Sequence, residues 1–420
     1  MMRRSDPRRV GAIDRAHTDK RGGGDYRRRR VSWPQAPRRE LIRQHTSRLV
    51  ALSLLTLLAL LVTGCGLPGT IPQKGRIPDA GPSPTATPLP PITFPQDEAP
   101  HRDLTEWWYY TGHFHGSDAQ GKAHEYGFEL TVFQTLRGQV PPFYAAHYAI
   151  SDITRGEFHY DQRVALGSLA ALPEPGSTDG FDLGVQDWRV KGLNGADTLS
   201  ATMSEYTIAL NLKDALPHPA LHGGNGIITL GQAGYSYYYS RPLMSVSGVI
   251  QDHGAQIQVT GQAWFDHQWG NFISLAGFGW DWFSIQLDNR TEYMLYVIRD
   301  AQKKPISVFG TAVDADGTVS EIPAQQIETT ATGSWTSLQT GGVYPSGWKV
   351  TLPSRDVALT LTPALLDQEL DTAQSTGVAY WEGAVRITGQ AGGKPITGAG
   401  YVELTGYAQV PSGAQRPTVP

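Results

Sequence analysis

The stretch Trp264-Phe265-Asp266-His267-Gln268-Trp269-Gly270 gathers an acid, an imidazole and two indoles into one short run. Its left flank, Ile257-Gln258-Val259-Thr260-Gly261-Gln262-Ala263, alternates apolar and polar residues with no helical period. The whole segment therefore reads as a half-buried strand, with Gly270 ending it. Alternation puts Trp264, Asp266 and Gln268 on one face and Phe265, His267 and Trp269 on the other. Only one of those faces can line a cavity. If it is the His267 face, a proton donor has to come from another strand, unless a β-bulge at Asp266-His267 turns both side chains inward.

Outward from this stretch the chain reads as nearly all β. Tyr126 to Phe133, Leu199 to Met203, Tyr293 to Ile298 and Val357 to Leu361 alternate or are β-branched, and the 47 glycines suit a protein of turns. Pro363 to Gln374 is the best helical candidate. The chain also resembles itself. Gly248-Val249-Ile250 followed by Val259 to Asp266 returns in outline as Gly383-Ala384-Val385 followed by Ile396 to Glu403. Glu106-Trp107-Trp108-Tyr109 is echoed by Asp281-Trp282-Phe283-Ser284. This duplication predicts two halves, 102–274 and 275–407, joined near Leu275-Ala276-Gly277. If first and last strands pair to close each sheet, Glu106 approaches Asp266, and Asp281 approaches Glu403.

The ends carry a different message. Of the 35 Lys and Arg and 39 acids, fifteen and five fall in the first 48 residues, which leaves twenty against thirty-four and a net charge of −14 beyond them. So acidic a body disfavours nucleic acid as a partner. Residues 1–64 read as a basic region and signal segment whose apolar run, Leu49 to Thr63, is short for a membrane span. Val62-Thr63-Gly64-Cys65 resembles a bacterial lipobox, and Cys65 is the chain's only cysteine. The expected product is an extracytoplasmic envelope protein, held on a membrane by acyl chains at Cys65. Export by the general or the twin-arginine route, the latter through Arg38-Arg39, stays open. Residues 65–101, with ten prolines, read as a disordered linker, and 408–420 as a disordered tail.

Three signatures carry a family resemblance: Thr105-Glu106-Trp107-Trp108-Tyr109-Tyr110-Thr111-Gly112-His113, Trp264 to Gly270, and Tyr380-Trp381-Glu382-Gly383 with Gly400 to Tyr407. Over about 103–407 the chain resembles the secreted family that includes carotenoid 1,2-hydratases, many of whose members are labelled only as secreted hydrolases. The resemblance implies an all-β fold of two lipocalin-like barrels in tandem. It also implies hydration of an apolar polyene or lipid, in which an acid protonates an alkene, water captures the cation, and a His-x-Trp pair takes part. The matching pair is His267 and Trp269.

An alkene is a very weak base, so its proton donor should be a carboxyl that desolvation keeps protonated. Asp266, Asp281 and Glu106 are the candidates, with Asp281 favoured for its place between two indoles. His267 would orient or deprotonate the water. Trp107, Trp108, Tyr109, Trp264, Trp280, Trp282 and Tyr401 are candidate ligand-binding aromatics, although barrels also fill their cores with such rings. No cofactor is called for. His113-Phe114-His115 places two imidazoles on one face with no third ligand at a telling spacing, so no metal is expected either. Without a Gly-Xaa-Ser-Xaa-Gly elbow, a triad esterase is poorly supported. The alternative to an enzyme is a lipoprotein that carries a hydrophobic ligand.

Overall fold

The computed structural model describes residues 88–229, 234–271 and 279–408. The expected signal segment, Cys65, the Leu275 junction and nearly all of the tail lie outside them. Within them the chain forms two curled antiparallel sheets, a barrel and a half-barrel. The first comprises β1 (Thr105–Ser117), β2 (Ala123–Thr135), β3 (Phe143–Asp152), β4 (Glu157–Leu166), β5 (Phe181–Val185), β6 (Trp188–Leu193), β7 (Ala196–Thr202), β8 (Tyr206–Asp214), the short β9 (Ala220–Leu221) and β10 (Ile227–Thr229), β11 (Tyr235–Asp252) and β12 (Ala255–Gly270). Its order is β4-β3-β2-β1-β12-β11-β8-β7-β6-β5, with β9 and β10 also on β11.

The second sheet comprises β13 (Gly279–Leu287), β14 (Glu292–Arg299), β15 (Pro305–Val313), β16 (Val319–Ile322), β17 (Glu328–Thr336), β18 (Val343–Leu352), β19 (Val357–Pro363), β20 (Glu369–Asp371), β21 (Ala379–Ala391) and β22 (Lys394–Thr405). Its order is β16-β15-β14-β13-β22-β21-β19-β18-β17, with β20 on β21. In both sheets the first and last long strands pair, β1 with β12 and β13 with β22. The helical candidate Pro363 to Gln374 is instead the end of β19, a turn and β20, because Leu370 is needed in a small core with Ala149 and Tyr380.

Alternation decides what each strand offers. Trp108, Tyr110, Leu130, Val132, Phe265 and Trp269 fill the first barrel. Phe283, Ile285, Trp348 and Val402 fill the second sheet's core. The opposite faces of the same strands meet between the sheets as Tyr109, Tyr238, Trp264, Trp282, Tyr296 and Tyr401. Gly127 lets the sheets come this close: a Cβ there would stand 2.5 Å from the Tyr401 hydroxyl and 2.7 Å from the Ala384 Cβ. Gly127→Ala is therefore expected to cost about 1–3 kcal/mol by overpacking, read as a lower denaturant midpoint.

Residues 88–101, expected as the end of a disordered linker, are packed. Leu89, Ile92 and Phe94 lie against the first core, and Glu98 is buried on Arg241. Proline content was a poor guide here because three apolar side chains and a buried ion pair hold the segment in place.

Candidate functional site

Glu106 near the start of β1, Gln134 at the end of β2, Tyr144 at the start of β3, and His267 and Trp269 at the end of β12 share one mouth of the first barrel. The register sets Trp108 opposite His267 and Glu106 opposite Trp269, so all four point inward. Asp266, opposite Tyr109, points out towards the second sheet. The β11–β12 ladder has one irregularity, between Arg241 and Met244 on β11, so no bulge at Asp266-His267 turns both side chains inward.

At the centre stands Glu106, fully buried like His267. Its Oε1 lies 2.8 Å from His267 Nε2 and 2.8 Å from His101 Nδ1. Its Oε2 accepts from the His101 backbone N–H at 2.8 Å and the Gln134 amide at 3.0 Å. The outer atoms are held too. His101 Nε2 is 3.2 Å from Asp97 Oδ1, His267 Nδ1 is 3.2 Å from the Tyr239 hydroxyl, and Tyr144 donates to Gln134 at 2.8 Å. Aromatic rings close the walls. His101 stacks on Trp269 at 4.1 Å, His267 on Trp108 at 4.8 Å, and Phe94 meets Tyr239 edge-on at 5.0 Å. The Trp108 indole N–H is buried with no acceptor. Two open surface grooves, one beside Arg355 and one beside Arg290, do not reach this cluster.

The electrostatics reverse one expectation. Burial pushes Glu106 up, but His101 and the hydrogen bonds from both imidazoles outweigh it and hold the carboxyl below its ordinary range. His101 moves to about 9: burial works against its charge, and Glu106 and Asp97 more than compensate. Burial keeps His267 below its usual value, with Glu106 opposing. The mobile proton of this cluster therefore rests on His101 rather than on a desolvated carboxyl. Sequence reasoning missed His101 and Asp97 because both were assigned to the linker; an imidazole five residues ahead of Glu106 was the available signal. Among the described residues, His101, Glu106 and His267 are also the one set of three His, Cys, Asp or Glu side chains whose donor atoms lie within 4.8 Å of one another.

The remaining candidates are placed elsewhere. Asp281 sits at the mouth of the second sheet, 2.8 Å from Arg299 and 3.0 Å from the Tyr407 hydroxyl. It occupies the place in its sheet that Glu106 occupies in the first, but Val402 there stands opposite Phe283 where His267 stands opposite Trp108. Asp266 accepts from Tyr238 and from the Trp264 indole, each at 2.6 Å, and from Ser240. All three donors tie it into the wall between the sheets. Of the seven aromatics expected to bind ligand, Trp108 alone faces the barrel interior. Tyr109, Trp264, Trp282 and Tyr401 lie in the core between the sheets, and Trp107 and Trp280 pack against it. The cause is alternation, since neighbours of an inward residue must face the other way. His113 bonds the Gly400 carbonyl at 2.9 Å across the same boundary, while His115 is exposed.

Several carboxyls that burial pushes up line this boundary, although burial also raises Asp197, beside Tyr110 of the first barrel, and Asp281. Asp266 and Glu129 rise to about 7, Glu403 rises to about 8, and Glu382 rises as well. Glu129 accepts from Thr131 at 2.7 Å and Tyr380 at 3.2 Å, and Glu382 from Tyr109 at 2.7 Å. Their folded values exceed their unfolded ones, so the unfolded chain releases protons first as pH rises. Stability is then greatest below the unfolded value and is lost between about pH 4 and pH 8. Glu129→Gln is expected to reduce the fall in Tm between pH 5 and pH 8, on the order of 5 °C; a scan of Tm against pH for both proteins checks it.

The sequence matches the AttH-like family over residues 85–407. The start of that match agrees with the packed segment rather than with a linker reaching residue 101. The fold is similar to the crystal structure of an AttH protein from Nitrosomonas europaea, at 33% identity and a TM-score of 0.67, covering 77% of this chain and 99% of that one. It is also similar to kievitone hydratase from Nectria haematococca, at 19% identity and a TM-score of 0.59, covering 75% and 93%. At that identity the second likeness shows the fold alone. No curated protein matches. With the family match spanning both sheets and 33% identity to the Nitrosomonas protein over the 77% of the chain that is covered, the chain belongs to the AttH-like family.

Proposed function

We propose that the protein adds water across a carbon–carbon double bond of an apolar polyene or lipid at the mouth of the first barrel, while acyl chains on Cys65 hold it at the cell envelope. The observation that carries the chemistry is the shared oxygen, Glu106 Oε1, with an imidazole nitrogen 2.8 Å away on either side, inside a wall of aromatic rings. A proton passes from His101 Nδ1 to Glu106 and on to one alkene carbon. The adjacent carbon becomes a cation, which each desolvated indole face stabilises by about 1–2 kcal/mol. Water bonds to that carbon as His267 takes one of its protons, and the proton returns through Glu106 to His101. The net change is the addition of one water, and a trisubstituted alkene gives a tertiary alcohol.

Two likenesses support this reading. The fold is shared with a protein named as a hydratase, and His267-x-Trp269 matches the pair found in the carotenoid 1,2-hydratases that the chain resembles. The experiment incubates the protein with an isoprenoid bearing a trisubstituted alkene in oxygen-18 water. Incorporation of one labelled oxygen, lost in His267→Ala, supports it. Unchanged ligand recovered bound to both proteins would favour a carrier instead.

For the anchor, labelled palmitate should enter the wild-type chain and not Cys65→Ser. Two or more acyl chains hold a protein firmly where one holds it marginally. A soluble, unacylated protein with Cys65 intact would overturn this part.

A further inference from the structure

We propose that His101, Glu106 and His267 form a binding site for a divalent transition ion of the zinc type. The donor set is two imidazole nitrogens and one carboxylate oxygen, a mixture that such borderline ions accept. The three atoms already converge: His101 Nδ1 and His267 Nε2 each stand 2.8 Å from Glu106 Oε1, and all three lie within 4.8 Å of one another. An ion about 2.0–2.2 Å from each atom, the bond length zinc takes to nitrogen and oxygen, requires the two contacts to Glu106 to open by about half an ångström and the two imidazole nitrogens, within 4.8 Å of one another, to draw together.

What separates this cluster from a chance meeting of polar groups is its outer layer. A metal-bound imidazole is usually fixed through its other nitrogen. His101 Nε2 meets the Asp97 carboxylate at 3.2 Å, and His267 Nδ1 meets the Tyr239 hydroxyl at 3.2 Å. The second oxygen of Glu106 takes the His101 N–H and the Gln134 amide, which aims the first at the gap. Each of the three side chains thus has its back anchored and its front free to turn to an ion. The buried Trp108 N–H, which has no acceptor, lies beside His267 and would suit an oxygen ligand in the fourth position. The second sheet lacks the set: Asp281 keeps the carboxylate, but Arg299 and Tyr407 replace the imidazoles as its partners. An ion and the proton relay use the same lone pairs, so a loaded site would not pass protons. The inference goes beyond water addition and does not depend on it.

The test uses the full chain freed of metal by a chelator. Cobalt(II) chloride alone is added and the visible absorption recorded, and zinc chloride alone is titrated by calorimetry. The expected result is one equivalent bound, with a cobalt spectrum of four- or five-coordinate nitrogen–oxygen type. His267→Ala should abolish that band. Asp97→Asn, a change in the half-buried outer partner that spares the core, should weaken zinc binding by about 10–100-fold. Failure of the wild-type chain to bind either ion at millimolar concentration would overturn the proposal. So would binding that is unchanged in both variants. Neither readout requires turnover, so a failed hydration assay does not bear on it.

Discussion

Glu106→Gln is expected to lower the rate of water addition by about 10²–10⁴-fold, the scale of losing a general acid or base, while apolar ligand still binds. The amide keeps the side chain's volume and can still accept the His101 N–H, which bonds Glu106 Oε2 at 2.8 Å. It cannot carry a proton between the two imidazoles. It also leaves His101 with only Asp97 as an anionic partner at 3.2 Å, so some stability should go too. Removing one member of a buried, paired charge typically costs about 3–5 kcal/mol, less where a second partner remains. Steady-state kinetics and ligand retention on the same preparation separate the two effects: kcat falls and retention does not.

The second large effect concerns the wall between the sheets. Trp264 is almost fully buried, meets Trp282 edge-on at 5.9 Å, and donates its indole N–H to Asp266 at 2.6 Å. Trp264→Ala is expected to cost about 3–5 kcal/mol, as large aromatic truncations do, and to leave Asp266 with Tyr238 and Ser240 as donors. Trp264→Phe should recover most of the packing and none of the hydrogen bond. Denaturant midpoints ordered wild type, Phe, Ala are the expected outcome. An Ala variant within about 0.5 kcal/mol of wild type would mean that the wall does not depend on this residue.

Much of this architecture was legible in the sequence because side-chain period is a local property. The alternation read from Ile257 to Gly270 separates His267 and Trp269 from Asp266, and the register and core then put the first two in the barrel and Asp266 outside it. The echo between Glu106 to Tyr109 and Asp281 to Ser284 marks the leading long strand of each sheet, and both pair with the last strand of their own sheet. The rest depended on distance in space. Nothing local says that Gln134 and Tyr144 end at the same mouth as Glu106, or that residues 94–101 fold back to bring His101 there. Asp281 looked shielded by its flanking indoles, but side chains one position away point to the opposite face, and its actual neighbours are Arg299 and Tyr407. The protonated carboxyls were expected where the chemistry is. Four of the acids that burial raises, Asp266 among them, lie between the sheets on different strands and among tyrosines, a grouping that no spacing along the chain reveals.

In the proposed mechanism Glu106 and His267 act as one unit at the mouth of the first barrel. The most direct test of this is the rate of oxygen-18 incorporation in Glu106→Gln, His267→Ala and the double variant. Each single change is expected to cost about 10²-fold or more, and the double variant to be no slower than the worse single, because either change breaks the same relay. Losses that multiply in the double variant, or full activity in both singles, would contradict it.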